Sequence, residues 1–338
     1  MPNLRIVHTT EYRYAAPVGF TTHRLMLRPR DSHDLVVTDA NLGITPPAAV
    51  ARWAHDVFGN SICYLDFGDA KSDTLRISST LDLQHFPSDL AQPEATLDPL
   101  AETYPFRYAA EEFPDLARSL ERHHADPERR IDAWAQRFLP QSGSIRTLDL
   151  LSEITGAIQR DFIYEGRAAE GTNPPLVTLD TGRGACRDFA LLMMEAVRSL
   201  GFAAHFVSGY LYDEARQNSA EHMVGGGATH AWCSVYLPGA GWVEFDPTNG
   251  LVAGRNLIRV CSARTPEQAV PISGGFIGRP NDFITLDVNV AVTVHGAAED
   301  AVLTNDSGDW EPPAEAPAAN SGANKAAPAD NSVVATSK

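Results

Sequence analysis

Apolar and polar residues alternate strictly along two stretches at opposite ends of the chain. Leu75, Ile77, Leu81 and Leu83 alternate with Arg76, Ser78, Thr80 and Asp82, and Ile284, Leu286, Val288, Val290, Val292 and Val294 keep a period of two without a break. That period puts the apolar side chains on one face of a strand. Shorter strand candidates fall at residues 5–14, 24–27 and 35–38, with turn chemistry between them at Phe58, Gly59, Asn60 and at Phe67, Gly68, Asp69. Short strands with turns this close together predict an all-β sandwich or half-barrel over residues 1–90.

From residue 91 to 160 the pattern turns helical. Asp126 followed by Pro127 reads as an N-cap with a first-turn proline ahead of Glu128, and Pro140 closes that helix. A second helix starts near Thr147, with Leu148, Leu151, Ile154 and Ile158 three and four residues apart. A third runs from Cys186 to about Leu200 and stops at Gly201, the usual left-handed cap. Asp188, Glu195 and Ser199 share one narrow polar face of it while Phe189, Leu191, Leu192, Met193, Met194, Val197 and Leu200 surround the rest, so it is a core helix. Strands follow at 202–212, 229–237 and 242–246, with a polar, glycine-rich and flexible stretch at 213–227. Helices followed by strands around one buried helix give an α+β core over 161–295. The remainder, 296–338, is Ala, Pro, Asn and Ser with little to bury and reads as a disordered tail.

Composition narrows the function. With 338 residues and 43% hydrophobic content the chain holds a sizeable core and more than one domain. A net charge of −16 argues against nucleic acid and anionic membranes as partners, because both select basic surfaces. The N-terminal residues lack the apolar run of a secretory signal, and no stretch approaches the roughly 18 apolar residues of a membrane span. A cytoplasmic location is therefore expected, with Cys63, Cys186, Cys233 and Cys261 as thiols rather than bridges. No CxxC pair suggests a zinc site, His123 and His124 lack a third ligand at a recognisable spacing, and no loop has calcium-binding spacing; no metal or other cofactor is expected.

Cys186 is the residue with chemistry to explain. Gly182 and Gly184 precede it and permit a tight turn, and a thiol in the first turn of a helix sits at the positive end of the helix dipole, which favours the thiolate. A lone buried cysteine is more often structural. Two downstream residues alter that. His230 opens the strand at 229–237 and Asp246 closes the one at 242–246. If Tyr236 faces Trp242 across the hairpin, Ser234 faces Glu244 and Asp246 lies diagonal to His230, within reach of an imidazole–carboxylate hydrogen bond. A register pairing 237 with 242 separates them. A thiolate, a base and a group that orients the base are what acyl transfer through a thioester needs.

These blocks resemble the bacterial transglutaminase-like family, whose core has the papain-like architecture. The resemblance rests on Gly184, Cys186, Arg187, Asp188 and Phe189, on His230, Ala231 and Trp232, and on Gly241, Trp242, Asp246, Pro247, Thr248 and Asn249. His8, Thr10, Tyr12, Tyr14, Pro17, Val18, Pro29, Arg30, Asp56 and the turn at Phe58 to Asn60 resemble the β-rich region that precedes such cores. Residues 261–276 depart from the family pattern. The resemblance implies a nucleophile helix packed on an antiparallel sheet, Cys186 as nucleophile, His230 as general base and acid, and Asp246 as its orienter. An aromatic ahead of the nucleophile, Tyr164, is either the second oxyanion donor beside the Cys186 N–H or an ordinary aromatic of its segment. Arg187 either biases the thiolate or pairs with Asp188 or the core. The implied activity is that of a cysteine protease or amidase acting on peptide, isopeptide or amide bonds, on a substrate supplied by a peptide-ligase-like partner. An amine in place of water makes it a transglutaminase, and a noncatalytic peptide-binding module is the rival from another class.

Overall fold

A computed structural model describes residues 3–86, 96–167, 170–212, 228–252 and 256–295. The stretch at 213–227 and the tail at 296–338, expected to be flexible and disordered, lie outside the described residues. In chain order the N-terminal region holds strands β1 (Asn3–Phe20), β2 (His23–Leu25), β3 (Leu35–Thr45), β4 (Val50–His55), β5 (Ser61–Asp66) and β6 (Ser72–His85). The helical region follows, with β7 (Thr103–Tyr104), α1 (Phe113–Leu120), α2 (Arg130–Gln136), β8 (Ile145–Arg146) and α3 (Thr147–Asp161). The core adds β9 (Ile163–Tyr164), α4 (Pro175–Thr181), β10 (Arg183–Gly184), α5 (Cys186–Ser199), β11 (Ala204–Leu211), β12 (His230–Leu237), β13 (Gly241–Asp246), β14 (Leu251–Val252) and β15 (Leu257–Ala263). The chain closes with β16 (Ile272–Ser273), β17 (Phe276–Ile277) and β18 (Phe283–His295).

The N-terminal region is a sandwich of two sheets, one ordered β17-β1-β6-β3 with β18 also on β1, the other β16-β2-β5-β4. The strands at 75–83 and 284–294 form as the alternation predicts. β1 is longer than expected, at 18 residues. At about 3.3 Å per residue it spans nearly 60 Å, and its even-numbered face is used twice. Tyr14, Val18 and Phe20 pack with Leu25, Leu65 and Phe67 inside the sandwich, whereas Leu4 and Ile6 join Leu81, Leu83 and Val290 against Tyr210, Ile258 and Val260 of the core sheet. Pro17 is accommodated because the β1–β6 pairing is interrupted between Arg13 and Val18, where no ladder N–H is required.

The core sheet runs β14-β13-β12-β11-β15 and is antiparallel. The odd residues Ala231, Cys233, Val235 and Leu237 of β12 pack with Phe189, Leu192, Met193 and Val197 of α5. Each of those α5 side chains is at most 1% exposed, and full burial of one stabilises the fold by about 1.5–3 kcal/mol. α5 and α3 occupy the ranges expected from their apolar spacing. α2 starts later than predicted: Arg129 is left-handed (φ 54°) and the helix opens at Arg130, yet the Asp126 carboxylate still accepts the N–H groups of Arg130 and Ile131 at 2.9 and 2.8 Å.

The polar stripe of α5 is not solvated. Asp188 and Glu195 are fully buried, and Glu195 is met by Arg198 at 3.1 Å, Arg122 at 3.3 Å and the N–H groups of His123 and His124. Those two histidines thus serve a carboxylate through their backbone, and no cluster able to hold a metal occurs among the described residues.

Polar and chain connections add to the packing of sandwich on core. Asp56 shapes the turn at Phe58 to Asn60 by accepting from the N–H groups of both, with Gly59 at φ 77°, and presents Asn60 to the backbone of Ser262 through bonds of 2.8 and 3.0 Å. The stretch at 261–276 that departs from the family pattern carries the chain back to the sandwich, where β16 pairs with β2 and β17 with β1. β18 then pairs with β1 from Asn3 to Tyr14, so the last alternating strand, expected within the 161–295 core, lies in the N-terminal sheet.

Candidate active site

The approach to α5 is set by two short strands. β10 runs parallel to β9 with Gly184 opposite Tyr164, reinforced by Ile163 N–H to Gly182 O and Glu165 N–H to Gly184 O, both 2.8 Å. Gly182 takes the positive φ (62°) of a helix cap ending α4, as a tight turn predicts. Gly184 is needed for space instead, since a Cβ there would meet Asp188 Cβ at 2.9 Å and Phe189 at 3.1 Å. Asp188 then fixes the turn. Its carboxylate accepts from Ala185 N–H (2.9 Å), Asn173 N–H (2.7 Å) and both Arg167 terminal nitrogens (2.7 and 3.1 Å). Arg167 is thus the partner of Asp188, and Arg187 reaches the carbonyls of Gly171 (2.6 Å) and Arg167 (3.0 Å).

Cys186 emerges from this clamp as the first residue of α5, 8% exposed. The hairpin of β12 and β13 has Tyr236 opposite Trp242 and Ser234 opposite Glu244, the register that brings His230 and Asp246 together. His230 Nε2 lies 2.8 Å from Asp246 Oδ2. Asp246 is fully buried and also accepts from Thr248 N–H at 2.9 Å and Asn249 Nδ2 at 2.7 Å. Burial alone would raise its pKa; the charge and hydrogen bond of His230, with the Asn249 and Thr248 donors, bring it below the usual value. An ionised Asp246 makes Nε2 the protonated nitrogen and leaves Nδ1 as the other face of the ring.

Nδ1 is buried and short of a geometrically complete hydrogen bond. Burial pushes the proton off His230, but the Asp246 charge and hydrogen bond, and then Cys186, outweigh it and lift the imidazole pKa well above 6.5. Trp232 lies along the same side of β12, with its ring 5.9 Å from that of His230 and its side chain fully buried. Gly209 makes room for it: a Cβ there would fall 2.7 Å from the Trp232 ring and 2.1 Å from Ile258 O.

Tyr164 packs edge-on against Phe189 with centroids 6.4 Å apart. Burial raises its pKa, the charges of Cys186 and Asp246 add to that and Arg187 opposes, so its hydroxyl stays protonated. The structure therefore brings together Cys186, His230, Asp246 and Tyr164. The supporting groups Arg167 and Asn173 carried no signal of role in the sequence, although a carboxylate in the first turn of a buried helix, Asp188, points to an arginine partner.

A thiol at the start of a buried helix, with a histidine and an aspartate on adjacent strands of the sheet beside it, defines a papain-like core. Residues 132–247 match the transglutaminase-like superfamily and residues 4–84 match the bacterial transglutaminase-like N-terminal region. Both matches are to transglutaminase-like sequence, a transglutaminase-like core with the bacterial β-rich N-terminal region ahead of it. An uncharacterised protein of Mycobacterium tuberculosis strain H37Rv is 28% identical over 300 residues, covering 85% of this chain and 91% of that protein. A protein-glutamine gamma-glutamyltransferase of Pseudomonas aeruginosa is 29% identical over 134 residues, which are 39% of this chain and 17% of that protein. A solved structure of a candidate cysteine protease from Cytophaga hutchinsonii superposes with a TM-score of 0.61 at 17% identity, over 86% of this chain and 91% of that one, a likeness of fold. No helix among the described residues is long and apolar enough to cross a membrane.

Proposed function

We propose that the protein is a cysteine-dependent acyl-transfer enzyme that hydrolyses peptide, isopeptide or amide bonds through an acyl-thioester on Cys186. The observation that carries this reading is the His230 ring, held on Nε2 by an ionised Asp246 at 2.8 Å, with raised proton affinity to which Cys186 contributes. His230 takes the Cys186 proton, and the sulfur adds to the substrate carbonyl. The Cys186 N–H and the Tyr164 hydroxyl are the donors to the resulting oxyanion. Collapse expels the amine, which receives its proton from His230. Water then adds to the thioester as His230 removes its proton, and release of the carboxylic acid returns the proton to the thiol.

Hydrolysis or transfer depends on whether water or an amine reaches the thioester, and the same three residues serve both. The second reading, an amine transferase, is favoured by the name of the Pseudomonas aeruginosa relative. Digestion of a peptide library with and without a labelled primary amine separates them: new termini without label mark hydrolysis, and label incorporated at glutamine marks transfer. Cys186→Ala and His230→Ala each abolish either product in this reading. Full activity of either variant would sink the assignment of these residues, and absence of both products from the wild type would leave the noncatalytic binding module as the account.

A further inference from the structure

A cleft of about 420 Å³ opens on the N-terminal sandwich, and none of the residues around Cys186 lines it. Its walls include Arg28, Arg30, Trp53 and His55. The chain has 43 carboxylate side chains against 27 lysines and arginines, so exposed guanidinium groups readily find partners. Arg5 meets Asp82 at 2.7 Å, Arg137 meets Asp161 at 3.0 Å and Arg160 meets Glu153 at 2.7 Å. Arg28 and Arg30 are exposed, and neither makes a hydrogen bond or ion pair with another described residue. Arg30 lies over the turn at Gly59, with its Nη1 2.3 Å from where a Cβ on Gly59 would sit. The one carboxylate in the lining, Asp31, is engaged by the Val37 N–H at 2.7 Å.

The strand beside these arginines is built to be approached. Among the described residues β4 is the outer strand of its sheet, paired only with β5, so its other edge presents N–H and C=O groups that no described strand pairs. Trp53 and His55, two residues apart, share one face of it, and Trp53 is 50% exposed. Arg52, on the opposite face, is occupied over the Tyr64 ring at 4.7 Å.

We propose that this cleft binds an extended acidic peptide segment, which pairs with the free edge of β4, sets its carboxylates on Arg28 and Arg30 and rests an apolar side chain on Trp53. The free edge selects peptide backbone, the guanidinium pair selects carboxylates, and the half-exposed indole selects against a small inorganic anion. The site is separate from Cys186, so binding does not depend on turnover.

The test uses the full chain carrying Cys186→Ala and a fluorescein-labelled octapeptide of alternating Glu and Val, followed by fluorescence anisotropy at low and high salt. The acidic peptide is expected to bind, more weakly as salt rises, and the alternating Lys and Val peptide is not. Arg28→Ala with Arg30→Ala, and separately Trp53→Ala, should each weaken binding by about tenfold or more, while Arg28→Lys with Arg30→Lys retains part of it. Unchanged thermal unfolding of these exposed-site variants shows that the loss is local. No binding of the acidic peptide, equal binding of the basic one, or an unchanged affinity in the double alanine variant would overturn the proposal. Displacement by inorganic phosphate at the concentration of competing unlabelled peptide would also overturn it, since the cleft would then be a small-anion site.

Discussion

His8 is a neutral imidazole buried between the sandwich and the core sheet, and the structure sets how much that placement costs in acid. Its Nδ1 lies 3.0 Å from the Tyr210 hydroxyl and its Nε2 3.0 Å from the Thr10 hydroxyl, and burial lowers its pKa from 6.5 to about 4. Because the folded value lies below the unfolded one, the unfolded chain takes up a proton that the native protein refuses. Stability is therefore lost as pH falls through 6.5 and the loss levels off near 4. At about 1.4 kcal/mol per pH unit the full effect is about 3 kcal/mol, of which about 2 kcal/mol falls between pH 7.5 and 5. His8→Gln removes the titration while keeping a polar side chain. Urea unfolding of both proteins at those two pH values should show the wild type losing about 2 kcal/mol more than the variant, with His205, also lowered to about 4, contributing equally to each. Identical losses would show that His8 is not held neutral at this interface.

Three further substitutions probe the supports of the site. Arg167→Met leaves the buried Asp188 carboxylate without its ion pair and should destabilise by about 3 kcal/mol in thermal or denaturant unfolding, since breaking one side of a buried pair strands a charge. Gly209→Ala places a Cβ 2.1 Å from a backbone oxygen and 2.7 Å from Trp232, so loss of soluble folded protein, or destabilisation by about 3 kcal/mol or more, is expected. Asn60→Ala strands the Ser262 N–H and carbonyl at the junction of sandwich and core, and a cost of about 2–3 kcal/mol with little change in far-UV circular dichroism is expected.

Much of the candidate site was legible because its parts are local in sequence. The apolar spacing located α5, Gly201 ended it, and the alternation of β12 and β13 placed His230 and Asp246 on hairpin strands whose working register pairs Tyr236 with Trp242. What was not legible depends on partners far along the chain. The stripe of Asp188 and Glu195 looks like a polar face, and only the approach of Arg167 and Arg122 from other segments makes it an interior one. Gly184 reads as a turn glycine, and its actual constraint, contact with Asp188 and Phe189, exists only once the helix is in place. The return of β18 to β1 joins residues nearly 300 apart, a pairing that a period of two cannot identify. The turn at Phe58 to Asn60 is visible as a turn, but its role as a clamp on Ser262 is set by a strand 200 residues later.

The chemistry turns on His230 taking the proton of Cys186. Iodoacetamide labelling at about pH 6, with each cysteine followed by peptide mass spectrometry in wild type and His230→Ala, tests it without knowledge of the substrate. Burial raises the pKa of the other three thiols, to about 12 for Cys233 and Cys261, so those should label slowly in both proteins. Cys186 should label first in the wild type and about tenfold or more slowly in the variant; a Cys186 that reacts no faster than Cys63, or at the same rate with and without His230, would contradict the account.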